Sequence, residues 1–198
     1  MKRSPTIRLF AALALPRECT AALAAWARSE LGAPGTRLLA PDAMHLTIAF
    51  LGERPAGELE ELTAALEALD IEAPELHLGA PVRLPPRAPR TVAVEVTDPS
   101  GALAELQRRT ADALASASGW EPRRRRFRPH ITVARMRRNT PPPGAVGATP
   151  SLPFNPLALE LLRSHLLPDG AVYELLATRS LHAAYERRDG PRSVRLDR

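Results

Sequence analysis

The sequence repeats one short pattern, which consists of a histidine, an aliphatic residue, a threonine, a second aliphatic residue and an alanine. One copy begins at His45 and the other at His130, 85 residues later. Successive side chains of a β-strand point to opposite faces, so the histidine and threonine of each copy share one face while the aliphatic residues are buried on the other. The repeat therefore predicts two strands that each present an imidazole beside a hydroxyl.

Two imidazoles in one cleft form a complete acid and base. Histidine titrates near neutral pH, so one ring can accept a proton while the other donates one. For a ribose 2′,3′-cyclic phosphate, one histidine would activate water and the other would protonate the departing ribose oxygen. The hydroxyls of Thr47 and Thr132 would donate to the non-bridging phosphate oxygens. The predicted activity is a phosphodiesterase without metal or other cofactor, and the local sequence does not say which histidine donates.

The apolar pattern predicts strands and helices in each half of the chain. We expect strands over residues 6–15, 36–39, 44–51, 76–84, 91–97, 129–135, 157–167 and 172–182, and helices over 16–31, 58–69 and 103–117. Gly52 is expected to end the first motif strand, and Asp169-Gly170 predicts a hairpin between the last two strands. The predicted fold is α+β, one domain over residues 1–198 with two pseudo-symmetric lobes. Each lobe is an antiparallel sheet with helices packed outside, the cleft lies between them, and residues 187–198 form a frayed tail.

The formal net charge is +5, and the positive charge is carried almost entirely by arginine, since Lys2 is the only lysine. Arginine binds phosphate bidentately, but a GC-rich genome also replaces lysine with arginine, and we favour that explanation overall. An arginine run at 123–126 precedes His130, and RNA contact and an exposed loop without a partner explain it equally well. Arg135 would lie on the opposite face of a regular strand from His130, so its use at phosphate requires a bulge.

The cellular compartment is indicated by the single Cys19, which cannot form an internal disulfide and fits a reducing environment. The short apolar segment near the N-terminus contains Arg8 and leads into Pro16 rather than a signal-peptide cleavage site. No apolar run approaches the roughly 20 residues that span a membrane. We expect a cytoplasmic monomer without a membrane partner.

Several other functions fit the sequence less well. His77, His165 and His182 lack the motif and are expected at the surface or in packing. A zinc site lacks an H-E-x-x-H pattern or a cysteine cluster, and a serine hydrolase lacks a G-x-S-x-G elbow. Phe10, Phe50 and Phe127 could stack on a base, although strand aromatics are more often core. Two alternatives stay open: a phosphodiesterase for small cyclic or 2′-5′ nucleotides, and a non-catalytic RNA-binding module.

Three segments carry a resemblance to a known family, and they cover residues 8–16, 44–53 and 127–135. With both motifs they resemble the bacterial RNA 2′,3′-cyclic phosphodiesterases, also called the 2′-5′ RNA ligase family, within the 2H phosphoesterase superfamily. The resemblance implies His45 as proton donor, His130 as proton acceptor, Thr47 and Thr132 on the phosphate, and Arg135 as a substrate contact. It also implies RNA ending in a 2′,3′-cyclic phosphate as partner, a terminal 2′-phosphate as product, no metal, and 2′-5′ ligation in reverse by some members.

Overall fold

Nearly every element of the chain belongs to, or packs on, one mainly antiparallel sheet. The computed structural model describes residues 5–122, 126–137, 144–167 and 170–183. Its strands are β1 Thr6–Ala14, β2 Thr36–Leu38, β3 His45–Pro55, β4 Glu72–Ala73, β5 Leu76–Leu84, β6 Thr91–Thr97, β7 His130–Met136, β8 Pro153–Phe154, β9 Ala158–Leu167, β10 Gly170–Ser180 and β11 His182–Ala183. Its α-helices are α1 Arg17–Leu31, α2 Leu59–Glu67 and α3 Ala102–Ser118, with short 3₁₀ turns at Pro41–Ala43 and Ala56–Glu58.

The strand order places the two motif strands at the centre of the sheet. The order is β10-β9-β1-β3-β7-β6-β5-β8, with β2 paired to β7 outside this path, while β11 and β4 form a separate parallel pair. The two halves meet where Leu46 of β3 pairs with Ile131 of β7. The α+β class is therefore confirmed, and the strands of the two halves form one continuous sheet rather than two separate ones.

The helices cover the face of the sheet opposite the motif histidines. Helix α1 contacts β7 and helix α3 contacts β3, so a helix from each half packs against the motif strand of the other half. The fully buried side chains of this layer include Leu9, Leu23, Leu46, Leu114 and Ile131. Burial of this much aliphatic surface stabilises the centre of the sheet, which holds the motif strands in place.

The first motif strand is longer than expected, because Gly52 lies within β3 and does not end it. Leu9 of β1 pairs with Gly52 and Phe10 pairs with Phe50, so Leu51 forms a bulge. Gly52 has φ of 75°, which glycine adopts without steric cost, and the strand continues through this bend to Pro55. The prediction of a strand end at Gly52 is wrong.

The final two strands form the expected antiparallel pair, since Leu167 at the end of β9 pairs with Gly170 at the start of β10. Asp169 of the predicted turn lies outside the described residues. The predicted helix over 58–69 is shorter, at Leu59–Glu67. The expected tail over 187–198 and residues 123–125 of the arginine run lie outside the described residues. Of the described helices, none combines the length and the apolar character that crossing a membrane requires.

Candidate active site

The two motif strands present their polar residues on the same face of the sheet. His45 and Thr47 are half-buried in β3, whereas Leu46 and Ile48 between and after them are buried. The second copy repeats this pattern, with His130 and Thr132 half-buried in β7. The predicted alternation therefore holds in both strands, and because β3 and β7 are neighbours, the four polar side chains share one surface.

Both imidazole rings are oriented by the same backbone contact. The Nδ1 of His45 lies 3.1 Å from the carbonyl oxygen of Ala43, and the Nδ1 of His130 lies 2.8 Å from that of Arg128. A carbonyl oxygen accepts only, so Nδ1 carries the proton and donates in each case. The Nε2 of each ring is left to exchange protons with a substrate.

Arg135 lies on the histidine face of the sheet because β7 contains a bulge. Ala93 of β6 pairs with Thr132 and Val92 pairs with Ala134, so Val133 has no partner in β6. Val133 and Ala134 are both buried, and Arg135 is exposed. Because of the extra residue, Arg135 lies on the same face as Thr132. This is the bulge that the sequence required for Arg135 to contact a phosphate.

A cavity of about 370 Å³ lies beside His45. Besides His45 its walls include Thr47, Arg135, Ser164 and Tyr173. The hydroxyls and the guanidinium are suited to an anion, and the aromatic ring is suited to an apolar or stacked group. The cavity therefore combines the binding groups that a nucleotide phosphate needs.

His45 forms a cluster with the rings of Phe10 and Tyr173, whose centroids are themselves 5.3 Å apart. The centroid of its ring lies 5.0 Å from that of Phe10 and 5.0 Å from that of Tyr173, the latter edge-on at 88°. Burial lowers the pKa of His45 to about 4; the hydrogen bond to Ala43 opposes this, and the charges of Arg135 and His130 lower the pKa further. His45 is therefore neutral at pH 7 when the site is empty.

His130 has different surroundings. It lines a second cavity, of about 540 Å³, together with Arg83, Glu95, Arg128 and Val146. Glu95 is the direct cross-strand partner of His130. The two histidines thus have equivalent backbone positions but different neighbours.

Sequence reasoning did not select Arg8 as a site residue. The Arg8 guanidinium carbon lies 4.7 Å from the centroid of the Phe50 ring, and both residues line the His45 cavity. Phe10 lies in contact with His45, whereas Phe127 packs against the main core. Arg8 and Phe10 are two residues apart in β1, which pairs with the motif strand β3, so their side chains share one face of the sheet. This spacing is the sequence signal that could have identified Arg8.

The other three histidines, His77, His165 and His182, line neither of these two cavities. The Nε2 of His77 lies 3.4 Å from Glu75, and that of His165 lies 2.8 Å from Glu174. His182 is an exposed residue of β11. In the described part of the chain, no three His, Cys, Asp or Glu side chains come together as a metal site would require.

Comparison with known proteins gives the family of the chain. The sequence profile of the 2′-5′ RNA ligase superfamily matches residues 16–166. The chain belongs to this superfamily. A Thermus thermophilus protein named RNA 2′,3′-cyclic phosphodiesterase is 31% identical over 196 residues, which is 93% of this chain and 96% of that protein. The present chain, like this relative, is an enzyme of the phosphoesterase type.

Solved structures of related proteins share the fold over almost their whole length. A crystal structure of a Thermus thermophilus protein has a TM-score of 0.76 and 28% identity, covering 90% of this chain and 100% of that one. Escherichia coli LigT in complex with 3′-AMP has a TM-score of 0.70 and 27% identity, covering 89% of this chain and 99% of LigT. The described fold is thus shared with these proteins.

Proposed function

We propose that the chain hydrolyses 2′,3′-cyclic phosphodiester ends of RNA to a terminal 2′-phosphate without a metal or other cofactor. The observation that carries the proposal is the pair of oriented imidazoles, His45 and His130, on neighbouring strands of one surface. The relative from Thermus thermophilus is named for this activity, and LigT has been crystallised with a nucleotide. Both support RNA or nucleotide as the substrate class.

The proposed reaction removes a proton from the attacking water and adds a proton to the departing 3′-oxygen. Nε2 of His130 accepts a proton from water as its oxygen bonds to phosphorus, and Nε2–H of His45 protonates the 3′-oxygen as its bond to phosphorus breaks. Thr47, Thr132 and Arg135 hold the non-bridging oxygens, whose negative charge grows in the transition state. The products are a 2′-phosphate and a free 3′-hydroxyl. An RNA 5′-hydroxyl in place of water would give a 2′-5′ linkage, which is the reverse ligation that the family resemblance implies.

The low pKa of His45 bears on the division of roles between the histidines. A proton donor must be charged when the substrate is bound, and the phosphate anion would raise the pKa of His45 by opposing the charge of Arg135. A neutral His45 in the empty site suits a proton acceptor instead. The reversed assignment, with His130 as donor, is therefore a second candidate that the burial of His45 favours.

The activity is tested by product analysis on a short RNA ending in a 2′,3′-cyclic phosphate, in excess EDTA. We expect the wild-type protein to produce the 2′-phosphate, and His45→Ala and His130→Ala each to lose about 100-fold or more in rate. His182→Ala is the matched control, because His182 is exposed and away from the motif strands. RNA bound without turnover would contradict the proposal and favour a binding module, and turnover of small cyclic nucleotides alone would favour the small-nucleotide alternative.

The roles are tested with a substrate whose 3′-bridging oxygen is replaced by sulfur. A thiol is far more acidic than an alcohol, so sulfur departs without a proton donor. If His45 donates, His45→Ala should lose much less activity on the sulfur substrate than on the oxygen substrate, whereas His130→Ala should lose equally on both. The opposite result would reverse the roles.

The predicted monomeric state and cytoplasmic location stay predictions. The first is tested by light scattering during gel filtration, and the second by fractionation of the cells that produce the protein.

A further inference from the structure

A third and larger cavity adjoins the catalytic surface at His45. Its volume is about 750 Å³, and His45 and Tyr173 line both this cavity and the smaller His45 cavity. Along β9 the two cavities follow one another, since Ser164 lines the smaller one and Glu160 lines the larger, which is called the Glu160 cavity below. A substrate whose phosphate lies at His45 can therefore extend directly into the Glu160 cavity.

The Glu160 cavity is lined mainly by apolar side chains. A cavity of this size with apolar and aromatic walls and few polar groups is typical of a site for a small organic group. When an RNA end is bound through its phosphate, the group that such walls suit is the base, which proteins hold by stacking and by hydrogen bonds to its edge. The apolar walls include Leu15, Leu162, Leu175 and the ring of Tyr173.

The carboxylate of Glu160 lies on the same face of the sheet as the motif threonine. Glu160 of β9 pairs with Ala12 of β1, and Ala12 pairs with Thr47 of β3. Direct partners project to the same face, and two strand spacings separate the backbones of Glu160 and Thr47 by about 10 Å. One nucleotide can span this distance, with its phosphate at Thr47 and the edge of its base at Glu160.

Glu160 is a half-buried acceptor in this cavity. Its carboxylate makes none of the hydrogen bonds or ion pairs found between the described residues. Burial raises its pKa, and the other two acidic or basic residues of the cavity, Arg17 and Asp42, are exposed and contribute nothing to this rise. An acceptor that is partly removed from water gains more from an N–H group of a ligand than a fully hydrated one does.

The four RNA bases differ in what they would present to this carboxylate. Guanine has two adjacent donors on its Watson–Crick edge, N1–H and the N2 amino group, and the two oxygens of an ionised carboxylate can accept both hydrogen bonds. Adenine and cytosine have an amino donor beside a ring nitrogen that accepts, and uracil has one N–H between two carbonyl oxygens. Each of these three bases would place an acceptor against a carboxylate oxygen, which is unfavourable.

We propose that the Glu160 cavity holds the base of the terminal nucleotide and that Glu160 selects guanine by accepting hydrogen bonds from N1–H and N2–H. This inference rests on the proposed function and adds a specificity-determining residue to it. Tyr173 separates the two cavities, so it contacts the substrate between its phosphate and its base.

The test compares kcat/KM for three dinucleotides that end in a 2′,3′-cyclic phosphate and differ only in the terminal base, which is guanine, adenine or hypoxanthine. We expect the wild-type protein to prefer guanine to adenine about tenfold or more, as for other bidentate contacts to a base. Hypoxanthine keeps N1–H but lacks the N2 amino group, so its value should lie between the other two.

The substitution Glu160→Gln should reverse this preference. Glutamine has nearly the same size, but it presents one acceptor and one donor, which is the pattern that adenine matches. The preference is a ratio measured within one variant, so a smaller folded fraction does not alter it. Glu174→Gln is the matched control, because Glu174 follows Tyr173 in β10, projects to the other face and lies 3.6 Å from Arg163. This variant should keep the wild-type preference.

Equal values for guanine and adenine in the wild-type protein, or a guanine preference that Glu160→Gln retains, would overturn the role of Glu160. Its failure remains distinguishable from failure of the proposed function. If the wild-type protein turns over none of the three dinucleotides, calorimetric titration with guanosine 2′-phosphate and adenosine 2′-phosphate still tests Glu160. The wild-type protein should bind the guanosine compound about tenfold more tightly, and Glu160→Gln should not.

Discussion

The low pKa of His45 makes the stability of the fold depend on pH. The pKa is about 4 in the folded protein and 6.5 in an unfolded chain. Between these values the unfolded chain binds a proton that the folded protein does not, so the free energy of unfolding decreases as the pH falls. From pH 7 to pH 5 this group alone should remove about 2 kcal/mol from the free energy of unfolding.

The substitution His45→Asn tests this reasoning. Asparagine does not titrate, and its amide can still donate to the carbonyl oxygen of Ala43, which accepts from His45 Nδ1 in the native site. We expect the variant to lose about 2 kcal/mol less stability than the wild-type protein between pH 7 and pH 5. The assay is urea unfolding at both pH values, monitored by circular dichroism. His182→Asn is the control at an exposed histidine, and its free energy of unfolding should change with pH as that of the wild type does. Equal pH dependence in the wild type and His45→Asn would refute the argument that His45 is held neutral by burial.

Three other substitutions have effects that follow from single contacts. Tyr173→Ala removes a ring that covers His45 and should raise the pKa of His45 toward 6.5, as measured by NMR of the imidazole protons, whereas Tyr173→Phe should not. Leu46→Ala should lower the free energy of unfolding by about 3 kcal/mol, because Leu46 is fully buried where the two halves meet, while Leu175→Ala, at 54% exposure, should change it by less than about 0.5 kcal/mol in urea titrations. Asp98→Ala should cost about 1 kcal/mol by the same assay, because its carboxylate accepts the backbone N–H of Leu103 at 2.6 Å at the start of α3.

The positions of the motif side chains were predictable, whereas the bulge that orients Arg135 was not. Alternation of side chains within a strand is a local property, so the sequence places His130 and Thr132 on one face and Ile131 on the other. A bulge is a mismatch between two strands, and Val133 forms one only because β6 pairs with β7 in a particular register. For the same reason the bend at Gly52 could not be distinguished from a strand end.

Contacts between distant segments account for the rest of what the sequence did not predict. A short strand was expected near Arg37, but nothing in the sequence indicates that this strand pairs with β7 or that Arg37 reaches Gly170. The joining of the two halves through Leu46 and Ile131 is likewise a pairing between residues far apart in the chain. Such pairings depend on the packing of the whole sheet rather than on local propensity.

The two motifs share more of their backbone geometry than the sequence indicates, and they differ in what surrounds it. Each histidine donates to the carbonyl two residues before it, and each strand bulges three residues after its histidine. The neighbours differ, because His45 is covered by Phe10 and Tyr173 while His130 lines a cavity that also includes Glu95 and Arg128. Acid–base catalysis requires one protonated and one deprotonated group at the same time. In this chain the repeated backbone gives the two imidazoles a common orientation, and the burial of His45 beside Phe10 and Tyr173 lowers the pKa of that ring.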